Sequence, residues 1–316
     1  MKIKNALSSN ILILLLAGTT EFIFNSNAVA MPGDLYASDV ATNSIVLYAH
    51  DGTKTTFATG LNSPQGIFPP KADFNGDGKS DILWQNNSTG ERVIWLMNGT
   101  SLISSVSFAT VVRAWKIVGS EDFNADLNSD ILWQNSVTGE RLIWLMNGTS
   151  LSTSVSLGIV GTSWNIVGSG DFNGDSQPDI LWQNSVTGER LIWLMNGLSL
   201  SSSVSLGIVG TSWNIVGSGD FNADGQTDIV WQNSASPDRV IWLMNGTSLI
   251  SSVTFATVAR EWGIVGAADF NGDGQTDILW QSRVTGQRII WLMNGTTESS
   301  SVNLGIVGTA WDIRNF

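Results

Sequence analysis

The chain contains no cysteine and a single histidine, His50. Without cysteine there are no disulfides, no thiolate metal sites and no thiol nucleophile. One histidine removes most imidazole-based catalysis and most histidine metal centres. Charge is scarce too, at 13% of residues. Fifteen Lys and Arg against 27 Asp and Glu leave a net charge of −12, which argues against nucleic acid as a partner, because affinity for phosphates comes mostly from clustered cations. What remains is 42% hydrophobic residues, 33 glycines and 15 tryptophans in 316 positions. Such a composition supports a globular chain with ample core and excludes a disordered one.

The first thirty residues read as a signal peptide (1–30). Lys2 and Lys4 form a basic start, Ile11 to Ala17 an apolar run, and Ala28-Val29-Ala30 a small-residue cleavage site. The apolar run is short for a bilayer span, so a retained anchor is the lesser alternative. No later stretch approaches membrane length. The expected mature chain is 31–316, a single domain without a membrane span, monomeric, and secreted, periplasmic or displayed at the cell surface. Loss of Lys2, Lys4 and Glu21 takes its charge from −12 to −13.

Internal repetition dominates the rest. Asp-Phe-Asn recurs at Asp73, Asp122, Asp171, Asp220 and Asp269, each 49 residues from the last. All fifteen tryptophans fall into three registers of that period, beginning at Trp84, Trp95 and Trp115. Residues 154–173 and 203–222 are identical. Each unit reads as four short strands, and the turn at Asn196-Gly197 between apolar runs is a strong hairpin signal. No stretch holds a helical period over three turns.

Four-stranded units of this length suit the blades of a β-propeller, and no polar capping repeat favours a solenoid. Five units occupy 64–308. The last residues, Ala310-Trp311-Asp312-Ile313, match the opening strand of a further unit, and Asp34-Leu35-Tyr36 aligns with a second strand. The expectation is therefore an all-β, six-bladed propeller, its sixth blade built from 31–63 plus 309–316. Ala310 to Arg314 should then lie beside Leu35 to Asp39 and close the ring.

The loop Asp73-Phe74-Asn75-Gly76-Asp77-Gly78-Lys79-Ser80-Asp81 carries side-chain oxygens at positions 1, 3, 5 and 9. Oxygen ligands at this spacing suit a hard cation such as calcium. The candidate metal ligands are Asp73, Asn75, Asp77 and Asp81; Asp122, Asn124, Asp126 and Asp130; Asp171, Asn173, Asp175 and Asp179; Asp220, Asn222, Asp224 and Asp228; and Asp269, Asn271, Asp273 and Asp277. Up to five Ca2+ ions, one per repeat, would follow. Asp, Asn and Gly also favour ordinary turns, but five copies with the same four oxygen positions exceed what a turn requires. Position 6 should need positive φ. Glycine supplies it at Gly78, Gly225 and Gly274, whereas Leu127 and Ser176 stand there in the second and third loops.

These loops resemble the FG-GAP repeat of integrin α-chain propellers and the related VCBS repeats. The piece from Gly33-Asp34-Leu35-Tyr36 to Asn62-Ser63-Pro64 resembles an NHL-type blade and lacks the first three loop ligands, so no sixth calcium is expected. The resemblance implies adhesion or ligand binding, with an extracellular protein, matrix component or glycan as partner.

A noncatalytic binding module is the leading reading, a calcium-stabilised multivalent lectin the alternative, and a propeller hydrolase the least favoured. No catalytic residue stands out. There is no Gly-x-Ser-x-Gly elbow, and His50 has no evident partner. Glu91, Glu140 and Glu189 each precede an Arg and read as solvated or cross-strand pairs. The tryptophans at Trp84 and Trp95 read as blade core, and the Trp115 register is the better candidate for exposure.

Overall fold

The computed structural model describes residues 72–314 and, before them, the backbone of four strands. The signal-peptide call lies outside the described residues apart from Ile23–Phe24, and so does His50. The chain divides into two compact units, Met1–Phe68 and Pro69–Phe316. In the first unit, β1 (Ile23–Phe24), β2 (Leu35–Asp39), β3 (Ser44–Tyr48) and β4 (Lys54–Thr59) form one sheet of order β1-β4-β3-β2. Every pairing in it is antiparallel. No helix among the described residues is long and apolar enough to cross a membrane.

The second unit is a β-propeller of five four-stranded blades. The second blade holds β8 (Trp115–Glu121), β9 (Asp130–Asn135), β10 (Glu140–Asn147) and β11 (Ser150–Ile159). The third holds β12 (Trp164–Gly170), β13 (Asp179–Asn184), β14 (Glu189–Asn196) and β15 (Ser199–Ile208). In the fourth are β16 (Trp213–Gly219), β17 (Asp228–Asn233), β18 (Asp238–Asn245) and β19 (Ser248–Thr257), and in the fifth β20 (Trp262–Ala268), β21 (Asp277–Ser282), β22 (Gln287–Asn294) and β23 (Thr297–Ile306). The first blade takes β5 (Ile82–Asn86), β6 (Glu91–Asn98) and β7 (Ser101–Thr110) from the first repeat and β24 (Trp311–Ile313) from the chain's far end, in the order β24-β5-β6-β7.

The expected sixth blade is therefore corrected to none. Trp311 pairs with Asn86, Asp312 with Gln85 and Ile313 with Trp84, so the C-terminal strand closes the first repeat and does not join Leu35–Asp39. The register is that of the third blade, where Trp164 pairs with Asn184 and Ile166 with Trp182. Trp311 to Ile313 thus fill the opening-strand register of the first blade. Gly66 stands where the other repeats place a tryptophan, and Pro69-Pro70 follow; proline cannot donate to a strand ladder. Ring closure by a shared blade is retained, with a different partner and one blade fewer.

The opening strands β8, β12, β16, β20 and β24 neighbour one another in order and form the inner wall. Second strands are buried throughout, whereas fourth strands such as Ser199–Ile208 are mostly exposed. Burial on both faces is what the unbroken Ile-Leu-Trp runs require. Five apolar clusters fill the five joints between blades. Within each blade the first two tryptophan registers pack together, as in Trp182–Trp193 with ring centroids 4.5 Å apart.

Polar contacts repeat at every joint as well. Arg92, Arg141, Arg190, Arg239 and Arg288 are fully buried. Arg190 donates to the Trp213 carbonyl of the next blade at 2.7 Å and lies 5.3 Å from the Trp231 ring centroid. Gln183 of the same blade accepts the Ile215 N–H at 3.0 Å. Three of these arginines follow Glu91, Glu140 and Glu189, glutamates read as solvated or cross-strand pairs. The arginines turn inward because strand alternation puts the two side chains on opposite faces, while Glu140 bonds the Thr138 hydroxyl at the surface.

Candidate metal centres on the loop face

Every Asp-rich loop precedes the second strand of its blade, on the same end as the Asn-Gly turns. In the first loop the Asp73 carboxylate accepts N–H groups from Gly76 (2.8 Å), Asp77 (3.2 Å) and Gly78 (2.8 Å). The Asn75 side chain accepts the Asp77 N–H at 3.0 Å and donates to the Asp77 carboxylate at 3.2 Å. The other four loops repeat the Asn-to-Asp contact between positions 3 and 5. Positions 1, 3 and 5 are thus brought together in all five.

Position 9 is placed differently. Asp81, Asp130, Asp179, Asp228 and Asp277 have no exposed surface. Asp81 accepts the Phe74 N–H at 2.9 Å and the Met97 N–H at 2.8 Å, tying the loop to the third strand. The remaining four do the same. Burial pushes the carboxyls of Asp81, Asp130 and Asp277 up to about 7, and those of Asp179 and Asp228 to about 6, against the opposing pull of the two N–H donors. Burial also raises Asp73, Asp122, Asp220 and Asp269, and the adjacent position-5 carboxylate adds to the rise.

The donor set at positions 1, 3 and 5, two carboxylates and an amide oxygen, fits a hard cation such as calcium. Position 9 would reach a cation only by sharing an oxygen already bonded to the backbone. Among the described residues no three His, Cys, Asp or Glu side chains are gathered closely enough to hold a metal as they stand.

Position 6 does take positive φ: 81° at Gly78, 69° at Leu127, 68° at Ser176, 79° at Gly225 and 82° at Gly274. Position 4 takes it too, a requirement that the sequence reading missed. Glycine meets it at Gly76, Gly174 and Gly272, but Ala125 and Ala223 adopt φ of 59°. The second loop is the only one with non-glycine residues at both positions. A Gly/Ala alternation at position 4 was the available signal.

Between the second and third loops lies a cavity of about 360 Å³, bordered by Asp122, Asn124, Ser176, Gln177, Pro178 and Leu198. The tryptophans do not border it. Trp115 and its equivalents pack against the core clusters, so the third register is part of the joints as well.

The sequence profile of the FG-GAP-like repeat matches residues 73–133, 122–182, 171–231 and 220–280. No curated protein sequence matches significantly. Among solved structures, virginiamycin B lyase from Staphylococcus aureus is similar at 10% identity over 92% of this chain and 89% of its own, with a TM-score of 0.38. A protein of unknown function from Bacteroides caccae aligns at 11% identity over 74% and 73%, TM-score 0.42. A 6-phosphogluconolactonase-like protein from Bacteroides uniformis aligns at 14% over 88% and 80%, TM-score 0.35.

Proposed function

The chain belongs to the FG-GAP-like repeat family, matched across residues 73–280, and on that premise we propose that it is an exported, calcium-stabilised propeller whose loop face serves as a noncatalytic binding surface. The observation that carries this reading is the convergence of positions 1, 3 and 5 in all five loops on one face. Bound calcium would neutralise the loop carboxylates and would stiffen the rim around the cavity at Asp122. Extracellular protein, matrix or glycan is the partner class. Glycans are favoured as the second reading by that cavity, which sets Asp122 and Asn124 oxygens beside the apolar Leu198.

The test is thermal unfolding of the full chain in calcium-stripped buffer and in millimolar calcium. Extracellular calcium modules bind at roughly 10⁻⁴–10⁻³ M, and ligand bound only by the folded state raises stability by mass action. A melting temperature that rises with calcium, together with calcium-dependent retention on a glycan or matrix array, is expected. Identical transitions in both buffers would reduce the loops to turns.

A further inference from the structure

Asparagine precedes glycine in two settings. Three pairs lie in the Asp-rich loops, at Asn75-Gly76, Asn173-Gly174 and Asn271-Gly272. Five lie in the outer hairpin turns, at Asn98-Gly99, Asn147-Gly148, Asn196-Gly197, Asn245-Gly246 and Asn294-Gly295. The second and fourth loops carry Asn124-Ala125 and Asn222-Ala223 instead. Such a pair has a chemistry of its own. The backbone nitrogen of the second residue can attack the asparagine carboxamide, close a succinimide ring and expel ammonia. A side chain on the second residue obstructs that closure, and glycine has none.

The glycine loops hold the reacting groups ready. The Gly76 N–H donates to the Asp73 carboxylate at 2.8 Å, and Gly174 and Gly272 donate to Asp171 and Asp269 at 2.7 Å. The Asn75 side-chain oxygen accepts the Asp77 N–H at 3.0 Å, which folds the carboxamide forward along the chain. It also sets a donor on the oxygen where negative charge develops during attack. Asn173 and Asn271 repeat this contact at 2.9 Å. Nothing stands within 4 Å of where a Cβ would project from Gly76, Gly174 or Gly272, so a ring has room to close and water has room to open it.

The hairpin pairs are placed otherwise. The N–H groups of Gly148, Gly246 and Gly295 go to the neutral side-chain amides of Asn128, Gln226 and Gln275. A main-chain carbonyl of another loop stands 3.3 to 3.5 Å from the Cβ positions of Gly99, Gly148, Gly246 and Gly295. The same dipeptide is therefore crowded in the turns and open in the loops.

We infer that Asn75, Asn173 and Asn271 are self-modification sites, at which the folded chain converts its own asparagine to aspartate or isoaspartate with water as the co-reactant. In the first loop the Gly76 nitrogen bonds to Cγ of Asn75 and the Cγ–Nδ2 bond breaks. The Gly76 proton leaves along its hydrogen bond to Asp73 and ends on the departing nitrogen, which is released as ammonia. Water then adds its hydroxyl to either imide carbonyl and returns a proton to the Gly76 nitrogen. Each event sets a new carboxylate at position 3, between Asp73 and Asp77. No cation takes part, so the inference does not rest on calcium binding.

The experiment incubates the full chain in calcium-stripped neutral buffer and follows each asparagine by peptide mass spectrometry, as a gain of about 1 Da, and by isoaspartate content. Asn75, Asn173 and Asn271 should convert at least about tenfold faster than Asn124 and Asn222, and ahead of the hairpin asparagines. Gly76→Ala should slow Asn75 to the rate of Asn124; Ala125 and Ala223 show that the loop accepts alanine there. Ala125→Gly should raise Asn124 to the rate of Asn75 with no loss of melting temperature. Equal conversion at Asn75 and Asn124, hairpin asparagines that convert as fast as the loop ones, or an Ala125→Gly chain whose Asn124 stays an amide would each overturn the inference.

Discussion

The guanidinium of Arg288 lies over the ring of Trp84, 5.1 Å from its centroid, although the two residues belong to the last and first repeats. The same arginine donates to the Trp311 carbonyl at 2.8 Å. The arginine–tryptophan contact of the final joint thus repeats that between Arg190 and Trp231.

Truncation before residue 310 should therefore open the ring. It removes β24, bares the edge of Ile82–Asn86 and leaves Gln281 without the Ile313 N–H it accepts. Exposed strand edges promote association. Size-exclusion chromatography should show oligomers or aggregate, with a lower melting temperature. A monomeric truncation of unchanged stability would refute closure through β24.

Arg190→Lys should destabilise the chain by about 2 kcal/mol, because an ammonium cannot bond the Gly188 and Trp213 carbonyls and cover the Trp231 face at once. Urea unfolding measures the loss. A change within experimental scatter would mean that area burial alone holds the joints.

Leu127→Gly and Ala125→Gly should each stabilise the second loop. Both residues sit at positive φ, 69° and 59°, where a Cβ costs roughly 1–2 kcal/mol, partly offset by the greater unfolded-state freedom of glycine. Leu127 is 68% exposed, so little packing is lost. A net gain of about 0.5–1 kcal/mol is expected, and calcium affinity of this loop should rise in parallel. Tighter binding by the parent loop would show that strain does not limit it.

In calcium-free solution, stability should fall as pH rises. The buried position-9 carboxyls titrate near 6 or 7 in the folded chain against 3.8 in the absence of burial, so the folded state holds its protons more tightly. Their favourable contribution is complete below about pH 4 and is lost as pH passes through about 6–7. Melting temperature in stripped buffer should decline from about pH 5 to about pH 8. A steady increase over that range would mean that the two N–H donors outweigh burial.

Much of this was legible in the residues. The 49-residue period gave the blades, Asn-Gly gave the outer turns, and Asp-Phe-Asn located the loops. The blade count was misread because Ala310 to Arg314 was assigned to a sixth blade beside Leu35 to Asp39, whereas this strand pairs with Ile82–Asn86; five members in each tryptophan register already allowed only five blades. The role of Arg190 was not read, although a strand sends adjacent side chains apart and an outward Glu189 leaves Arg190 facing in. Spacing offered Asp81 as a ligand but did not reveal that its carboxylate also accepts the Phe74 and Met97 N–H groups.

Closure by a borrowed strand also sets a timetable. Asn87 and Asp312 bond across 225 residues of chain. At ~5–20 residues per second of synthesis, the interval between their appearance is roughly 10–45 s. Throughout it the first blade waits with three strands and the growing fifth has no neighbour on its far side. The nascent chain must pass that time with two raw edges, and whatever shields them, a chaperone or the exit route itself, acts before the last handful of residues locks the ring.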